Sequence, residues 1–135
     1  MSSFYPHLFP LISNQTGAFE IEANLGGVQG LFLVDTGASM VTVEAELLNK
    51  IRKTTHVRKI RSVAARLANG RAEILDIFLV EEFWLGEHCN LGPIEVAAPK
   101  QGGRNLFGMN ALKQAAPFGF ASQPPTLGLS HCNID

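Results

Sequence analysis

One aspartate, Asp35, stands in a sequence context that suits acid–base chemistry. It follows the apolar run Leu31-Phe32-Leu33-Val34 and precedes the turn-like segment Thr36-Gly37-Ala38-Ser39. A carboxylate at the end of a buried strand is costly unless hydrogen-bond donors surround it. The hydroxyls and amides of this segment can supply such donors. The pattern predicts either a catalytic carboxylate or an Asx-turn, in which the aspartate only closes the bend.

The two other aspartates have less suitable surroundings. Asp76 lies within a strand pattern, between apolar neighbours, and Asp135 stands at the end of the sequence, where chains commonly fray. Asp35 is therefore the aspartate whose setting favours chemistry.

Two histidine–cysteine pairs, His88-Cys89 and His131-Cys132, carry side chains that zinc prefers as ligands. Neighbours on an extended strand point to opposite faces, so each pair is poorly arranged to hold one ion. A disulfide between the two cysteines is a second possibility. We expect two unpaired thiols, no metal site and no cofactor.

The segment before Asp35 has the pattern of a hairpin. Phe19–Leu25 alternates apolar and polar residues, which predicts a half-buried strand. Gly26-Gly27 supplies the positive φ angles of a tight turn. The returning strand, Val28–Val34, ends in a continuous apolar run, which indicates burial on both faces.

The remaining sequence is predicted to be mostly β, with two short helices. The helices are expected over Glu44–Ile51 and Met109–Ala115. Asn69-Gly70 is the strongest short hairpin signal in the chain. The other predicted segments are short strands at Val41–Val43, Phe83–Leu85 and Cys89–Ala98, strands at Ser62–Leu67 and Glu73–Val80, a basic connector from Arg52 to Arg61, a glycine-rich loop at Lys100–Arg104, and a closing hairpin of Phe118–Ala121 and Thr126–Leu129.

Three short motifs follow one another along the chain: residues 31–39 around Asp35-Thr36-Gly37, then Leu67-Ala68-Asn69-Gly70, then Leu106-Phe107-Gly108 with the predicted helix after it. Together they resemble the retropepsin-like aspartic peptidases, including the small bacterial ones. In that comparison the second motif resembles the tip of the flap, a hairpin that closes over substrate. The third resembles the strand end that supports the catalytic loop. The resemblance covers about residues 19–115.

The resemblance implies a fold and a division of the chain. The fold would be mostly β, a closed β-barrel of the acid-protease lobe type with one or two short helices. It would occupy residues 18–130, after an N-terminal extension at 1–17 and before a C-terminal tail at 131–135.

The resemblance also implies an aspartic endopeptidase, with Asp35, Thr36 and Gly37 as its catalytic motif. Pepsin-type enzymes carry two such motifs on a chain more than twice as long. This chain has one, so the resemblance implies a homodimer with one Asp35 from each copy. One carboxylate would take a proton from water while the other donates to the peptide carbonyl.

The implied substrate is an extended or unfolded peptide that adds as a strand between the catalytic loop and the flap. The substrate contacts implied by the motifs are Ala38, Ser39, Leu67, Ala68, Asn69 and Gly70, and the implied loop support is Leu106, Phe107 and Gly108. Ile74 is a further candidate for a pocket near the flap. Strand packing explains Leu67 and Ile74 equally well.

Composition argues against several partners. Hydrophobic residues make up 46% of the 135 residues, enough for one core, and the formal net charge of −1 gives no basic surplus for nucleic acid. The basic cluster between Arg52 and Arg61 is interpreted as a solvated face. No apolar run approaches the roughly 20 residues that span a bilayer. The sequence start lacks a secretory signal, so we expect a cytoplasmic protein, or a periplasmic one if such a segment has been removed.

Two other function classes remain open at this stage. The first is a retropepsin-fold module that binds peptides or dimerises without catalysis. The second is a zinc-dependent hydrolase that uses the histidine–cysteine pairs. Cleavage of an unfolded protein, blocked by pepstatin-like inhibitors, would exclude the first, and metal analysis would test the second.

Overall fold

The computed structural model describes residues 4–66 and 70–132, which form thirteen strands and two helices. The first strands are β1 (His7–Pro10), β2 (Ile12–Ser13), β3 (Phe19–Leu25), β4 (Val28–Val34), β5 (Val41–Thr42), β6 (Arg58–Arg66) and β7 (Ala72–Val80). The remaining strands are β8 (Trp84–Leu85), β9 (Cys89–Asn90), β10 (Ile94–Ala98), β11 (Leu106–Phe107), β12 (Phe118–Ser122) and β13 (Pro125–Leu129). The helices are α1 (Ala45–Thr54) and α2 (Met109–Gln114). The mostly β prediction with two short helices is confirmed.

The hairpin of β3 and β4 leads the chain to Asp35. Its strands pair antiparallel from Glu20 opposite Leu33 to Leu25 opposite Val28. Gly26 and Gly27 have φ angles of 59° and 93°, the left-handed region that the turn requires. The alternating face of β3 is buried as predicted.

The continuous apolar run at the end of β4 is not buried on both faces, so that prediction is wrong. Phe32 is fully buried, whereas Leu31 is 44% exposed and Leu33 and Val34 are half-buried. Successive strand residues point to opposite faces. In the single chain, the face of β4 that carries Leu31 meets solvent.

The main sheet runs in the order β6-β7-β10-β5-β11-β4-β3-β8-β9, with β2 also paired to β3. Most neighbours are antiparallel, but β4 pairs parallel with β11, and β5 pairs parallel with β10. Among the described strands the two ends of this order do not meet. The sheet is therefore open, whereas the family resemblance implied a closed β-barrel.

Aromatic packing fills the centre of the core. Phe83 lies between Phe32 and Phe107, with ring centroids 5.6 Å and 5.7 Å away respectively. All three side chains are fully buried. Phe32 belongs to β4 and Phe107 to β11, so the two paired strands that lead to and position Asp35 share one apolar cluster.

Helix α1 covers one side of the sheet with Leu47, Leu48 and Ile51. Its end contacts the β3–β4 turn, because the Thr54 hydroxyl donates to the Gly26 carbonyl at 2.8 Å. Within the part of the chain that the structure describes, no helix is long and apolar enough to cross a membrane.

The basic connector predicted before Ser62 is part of a strand, because β6 begins at Arg58. Its charged side chains stay exposed and pair across the sheet. Lys59 lies 3.3 Å from Asp76 of β7, and Arg61 lies 2.8 Å from Glu95 of β10. These ion pairs between strands support the register at this edge of the sheet. The sequence periodicity of this segment did not predict the strand.

A second sheet of order β1-β13-β12 joins the two ends of the described chain. β12 and β13 form the predicted closing hairpin. β1 lies within the segment expected to be an N-terminal extension, and it pairs antiparallel with β13 from His7 to Pro10. The Tyr5 ring lies directly over Gly119 and Gly128, where a Cβ atom would collide with it.

A disulfide joins Cys89 of β9 to Cys132, which follows the closing hairpin. The expectation of two unpaired thiols is wrong, because the Cα atoms lie 5.1 Å apart, within the range that a disulfide spans. The separation of 43 residues hid this proximity in the sequence. The bond ties the second sheet to the edge of the main sheet.

We expect the disulfide to stabilise the fold by about 2–4 kcal/mol, because it closes a long loop in the unfolded chain. A reducing agent should lower the denaturant midpoint of the parent protein. The Cys89→Ala/Cys132→Ala variant should unfold at a similarly low midpoint and show no response to reductant. An unchanged midpoint for the reduced parent, with both thiols labelled by maleimide, would contradict this.

Candidate active site

Asp35 follows directly on β4 and is positioned by the main chain of β11. The Leu33 amide donates to the Asn105 carbonyl at 2.9 Å, and the Asp35 amide donates to the Phe107 carbonyl at 3.1 Å. These bonds continue the parallel pairing of β4 with β11 beyond the last strand residue. The main-chain position of Asp35 is therefore fixed by the pairing of β4 with β11.

The loop after Asp35 folds back onto the carboxylate. The Gly37 amide donates to Asp35 Oδ1 at 2.9 Å, and the Ala38 amide donates to the Asp35 carbonyl at 3.2 Å. A Cβ atom at Gly37 would stand 3.1 Å from Asp35 Oδ1, so glycine suits this approach. The Asx-turn geometry is present, but Asp35 stays half-buried while Thr36 and Gly37 are exposed. Solvent reaches the front of the loop.

The back of the loop is held by the start of α2. The amides of Met109 and Asn110 donate to the carbonyls of Ala38 at 2.8 Å and Ser39 at 3.1 Å. Both donors belong to the first helical turn, where amides lack partners within the helix. Gly108 is buried there, and a Cβ atom on it would collide with the Met40 carbonyl. Glycine is required because the two chain segments touch.

Two asparagines complete this support, and sequence reasoning missed both. The Asn110 side chain accepts from the Val41 amide at 2.7 Å and donates to the Glu95 carbonyl at 2.8 Å. The Asn105 side chain accepts from the Glu44 amide at 2.8 Å. The sequence held one signal of this role, the position of Asn110 in the first turn of a predicted helix. Asparagine is unfavourable inside helices because its side chain tends to form hydrogen bonds with main-chain groups.

Phe107 of the third motif stands where a branched aliphatic residue is commoner in the resembled peptidases. Its ring is fully buried and packs on Phe83, while its carbonyl accepts from the Asp35 amide. The larger side chain is accommodated by the core, and the hydrogen bond between the Phe107 carbonyl and the Asp35 amide is formed. Leu106, half-buried, pairs with Leu33 on β4.

The hairpin of β6 and β7 carries the segment that the family resemblance assigned to the flap. Leu67, Ala68 and Asn69 lie outside the described residues. Gly70 is exposed with a φ of 84°, and its carbonyl accepts from Arg66 Nη1 at 2.8 Å. Ile74 on β7 is 52% exposed, so packing within the single chain does not account for it.

Charged contacts anchor the base of this hairpin. The hydrogen bond from the Ser62 hydroxyl, aided by the Lys59 ammonium, holds the pKa of Asp76 below its usual value. The hydrogen bond from Arg61 likewise lowers the pKa of Glu95. A carboxyl group with a lowered folded-state pKa stabilises the fold above its unfolded pKa. That contribution disappears as the pH falls through the lowered folded value.

The histidine–cysteine pairs do not assemble a zinc site. Both sulfur atoms are used in the disulfide, and His131 Nδ1 lies 2.7 Å from the Ala116 carbonyl oxygen. Across residues 4–66 and 70–132, no three histidine, cysteine, aspartate or glutamate side chains are grouped to hold a metal.

The support of the loop gives a prediction about stability. In the Asn110→Asp variant, a carboxylate would face the Glu95 carbonyl and could no longer donate to it. We expect the free energy of unfolding at neutral pH to fall by about 1–3 kcal/mol, the cost of an unsatisfied buried polar group. The loss should shrink at acid pH, where the protonated side chain donates again.

Chemical denaturation across this pH range would measure the effect. The matched control is Asn49→Asp, the same change on the exposed face of α1. Equal stability of the Asn110→Asp and Asn49→Asp variants at neutral pH would show that the Asn110 amide does not hold the loop.

One solved structure similar to this chain is a retropepsin-like aspartic protease from Rickettsia conorii. The two share 22% sequence identity and a TM-score of 0.65, over 91% of this chain and 90% of the other. At this identity the likeness establishes the fold. A search of curated protein sequences finds no significant match.

A protein-family model described as "gag-polyprotein putative aspartyl protease" matches residues 21–114. The matched range begins in β3 and ends with α2, so it contains the Asp35 loop, the β6–β7 hairpin and the Gly108 contact. It covers well over half of the chain. The chain therefore belongs to the retropepsin-like aspartyl protease family of gag-polyprotein type.

Proposed function

We propose that this protein is an aspartic endopeptidase that works as a homodimer, with one Asp35 from each chain. The observation that carries the proposal is the Asp35 loop itself. Its carboxylate is held by the Gly37 amide and remains open to solvent, while the back of the loop is bound to α2. Membership of the aspartyl protease family supports the same activity.

The chemistry requires a second carboxylate. A single group cannot both remove a proton from water and donate one to the peptide carbonyl. Two carboxylates about 3 Å apart share one proton because like charges repel, and aspartic peptidases are the standard example of this effect. The ionised member takes the proton of the attacking water, and the protonated member donates to the carbonyl oxygen. A proton returned to the amine then releases the product.

The second Asp35 is proposed to come from a second copy related by a twofold axis between the loops. Three features support this arrangement. The sequence holds one motif of this type, the exposed Thr36 and Gly37 form the front of the loop, and Leu31 on the adjacent strand is 44% exposed. Contact between two copies would cover these groups. By the family resemblance, the Thr36 hydroxyls would bond across the axis.

The proposed substrate is an extended or unfolded peptide bound between the Asp35 loop and the β6–β7 hairpin. Strand addition supplies main-chain hydrogen bonds, and side-chain pockets supply preference. Ile74 is proposed as one wall of such a pocket, because its side chain is 52% exposed on the hairpin. Ala38 and Ser39 are proposed to contact substrate main chain beside the carboxylates.

The Cys89–Cys132 disulfide bears on where the protein works. Disulfides form and persist in oxidising compartments and are rare in the cytosol. We propose an oxidising location, such as the periplasm, in preference to the cytoplasm expected from the sequence. Trapping free thiols during cell lysis tests this. Two blocked cysteines are expected in the isolated protein, and two labelled thiols would contradict it.

We expect the Asp35→Asn variant to lose peptide cleavage while keeping its fold. Asparagine keeps the size of aspartate and can still accept from the Gly37 amide, so the loop should hold its shape. It cannot accept a proton from water, and a symmetric dimer loses both carboxylates together. Cleavage of a denatured protein at mildly acid pH, with and without a pepstatin-like inhibitor, would be measured.

The control is Glu46→Gln, which makes the same carboxylate-to-amide change on an exposed position of α1. It should cleave like the parent. Cleavage by Asp35→Asn at a rate near the parent's would exclude the aspartic mechanism. A parent that binds the inhibitor without cleaving would instead be a binding module of this fold, and an unfolded variant would assign Asp35 a structural role.

We also expect Asp35→Asn to tighten the dimer modestly at neutral pH. Two carboxylates in one site repel each other, and the amide removes that repulsion. Sedimentation at several protein concentrations would give the dissociation constants of the parent, of Asp35→Asn and of the Glu46→Gln control. A parent that is active and monomeric throughout the range would contradict the dimer.

A further inference from the structure

A cavity of about 710 Å³ lies along the edge of β3 that faces β2 and β8. Gln29 lines it, and five strand residues separate Gln29 from Asp35, a distance of roughly 20 Å along β4. Phe9, Ile21 and Trp84 give the cavity apolar walls. Its volume is in the range of ordinary ligand sites. The catalytic loop does not contribute to it.

The cavity coincides with a gap in strand pairing. On the edge of β3 away from β4, Ile12 of β2 pairs with Glu20, and Trp84 of β8 pairs with Asn24. Main-chain groups on a strand alternate between its two edges. The amide and carbonyl of Glu22 therefore point to the same edge as those of Glu20 and Asn24. No strand in the described part of the chain pairs with Glu22 there.

The charged side chains among the described residues that line the cavity are acidic. The side chains of Glu22 and Glu87 line it and are exposed, and no lysine or arginine lies among the described residues that line it. Gln29 donates to Glu22 Oε2 at 3.4 Å and leaves the charge unneutralised. A cationic side chain is the group that complements these carboxylates.

We propose that this cavity binds an extended peptide segment in which a lysine or arginine stands between two apolar residues. The segment fills the gap between β2 and β8 by strand addition to Glu22. This site goes beyond the proposed peptidase activity and does not depend on it.

The register of the sheet dictates the order of residues in that segment. Residues directly opposite in an antiparallel pair carry their side chains on the same face. The basic residue opposite Glu22 thus lies beside its carboxylate, on the face that also carries Ile12 and Trp84. In this arrangement the cation would lie beside the Trp84 side chain, and its aliphatic stem would lie beside Ile12.

The apolar neighbours of the basic residue point to the opposite face of the strand, as Ile21 does. Ile21 is 2% exposed, and it lines the cavity together with Phe9. These apolar side chains would exclude water from the new strand pair. An apolar–basic–apolar segment would therefore bond the main chain of Glu22, complement the two carboxylates and place an apolar side chain on the face of Ile21.

Trp84 reports on the site directly, because the chain contains one tryptophan. The probe is the acetylated and amidated peptide Gly-Leu-Arg-Leu-Gly, titrated into the parent protein while tryptophan emission and heat are recorded. Two control peptides accompany it. One replaces arginine by glutamate, and the other carries an N-methyl group on the arginine amide, which removes the donor to the Glu22 carbonyl.

We expect saturable binding of the arginine peptide and affinities about tenfold or more weaker for both controls. The Glu22→Gln and Glu87→Gln variants should each weaken binding about two- to fivefold, and added salt should weaken it in the parent. The matched control, Glu46→Gln on α1, should bind like the parent. No saturable signal at about 1 mM peptide would overturn the proposal.

The catalytic cleft must be distinguished from this site. A saturating pepstatin-like inhibitor and the Asp35→Asn substitution should both leave the affinity of the arginine peptide unchanged. Displacement by the inhibitor would place the peptide in the cleft and overturn the proposal. Equal affinity for the arginine and glutamate peptides would also overturn it. These results stand whether or not the protein cleaves peptides.

Discussion

The close contact between Gly108 and the main chain at Met40 determines the shape of the Asp35 loop. No side chain fits at residue 108, because a Cβ atom would collide with the Met40 carbonyl. This contact lets the first amides of α2 reach the carbonyls of Ala38 and Ser39. The loop then turns its other side, with Thr36 and Gly37, toward solvent. Asp35 is presented at the surface because the back of its loop is used for packing.

The same arrangement bears on the proposal that two chains share one catalytic site. The β4–β11 pairing and the Phe32–Phe83–Phe107 cluster fix where Asp35 emerges, so the carboxylate cannot move far to serve two roles. The main-chain amide of Gly37 steadies it but supplies no second acid. Under the proposal, the second acid is the Asp35 of a facing copy.

Local patterns predicted the parts of the fold that local rules govern. The alternation of Phe19–Leu25 and the paired glycines at 26 and 27 both matched the structure, because each depends on near neighbours. Longer-range features were not predictable in this way. The Cys89–Cys132 disulfide and the pairing of β1 with β13 join segments far apart in sequence. The exposure of Leu31 was missed because an apolar run does not reveal which face the fold covers.

The candidate site also combines local features with features that join distant parts of the sequence. The residues around Asp35 left a catalytic carboxylate and an Asx-turn both open, and the family resemblance pointed to catalysis by Asp35, Thr36 and Gly37. The side-chain bonds of Asn105 and Asn110 span 61 and 69 residues, so their positioning role emerged only from the structure. The gap beside Glu22 likewise arises because β2 and β8, distant in sequence, stop short of each other on one strand edge.

The central claim is that two chains share one catalytic site, and subunit mixing tests it most directly. Parent protein and Asp35→Asn protein would be mixed at a fixed total concentration, allowed to exchange subunits, and assayed for peptide cleavage. A shared site predicts that mixed dimers are inactive, so activity follows the square of the parent fraction, about one quarter in an equal mixture. Activity proportional to the parent fraction, about one half in that mixture, would show that each chain acts alone and would contradict the account.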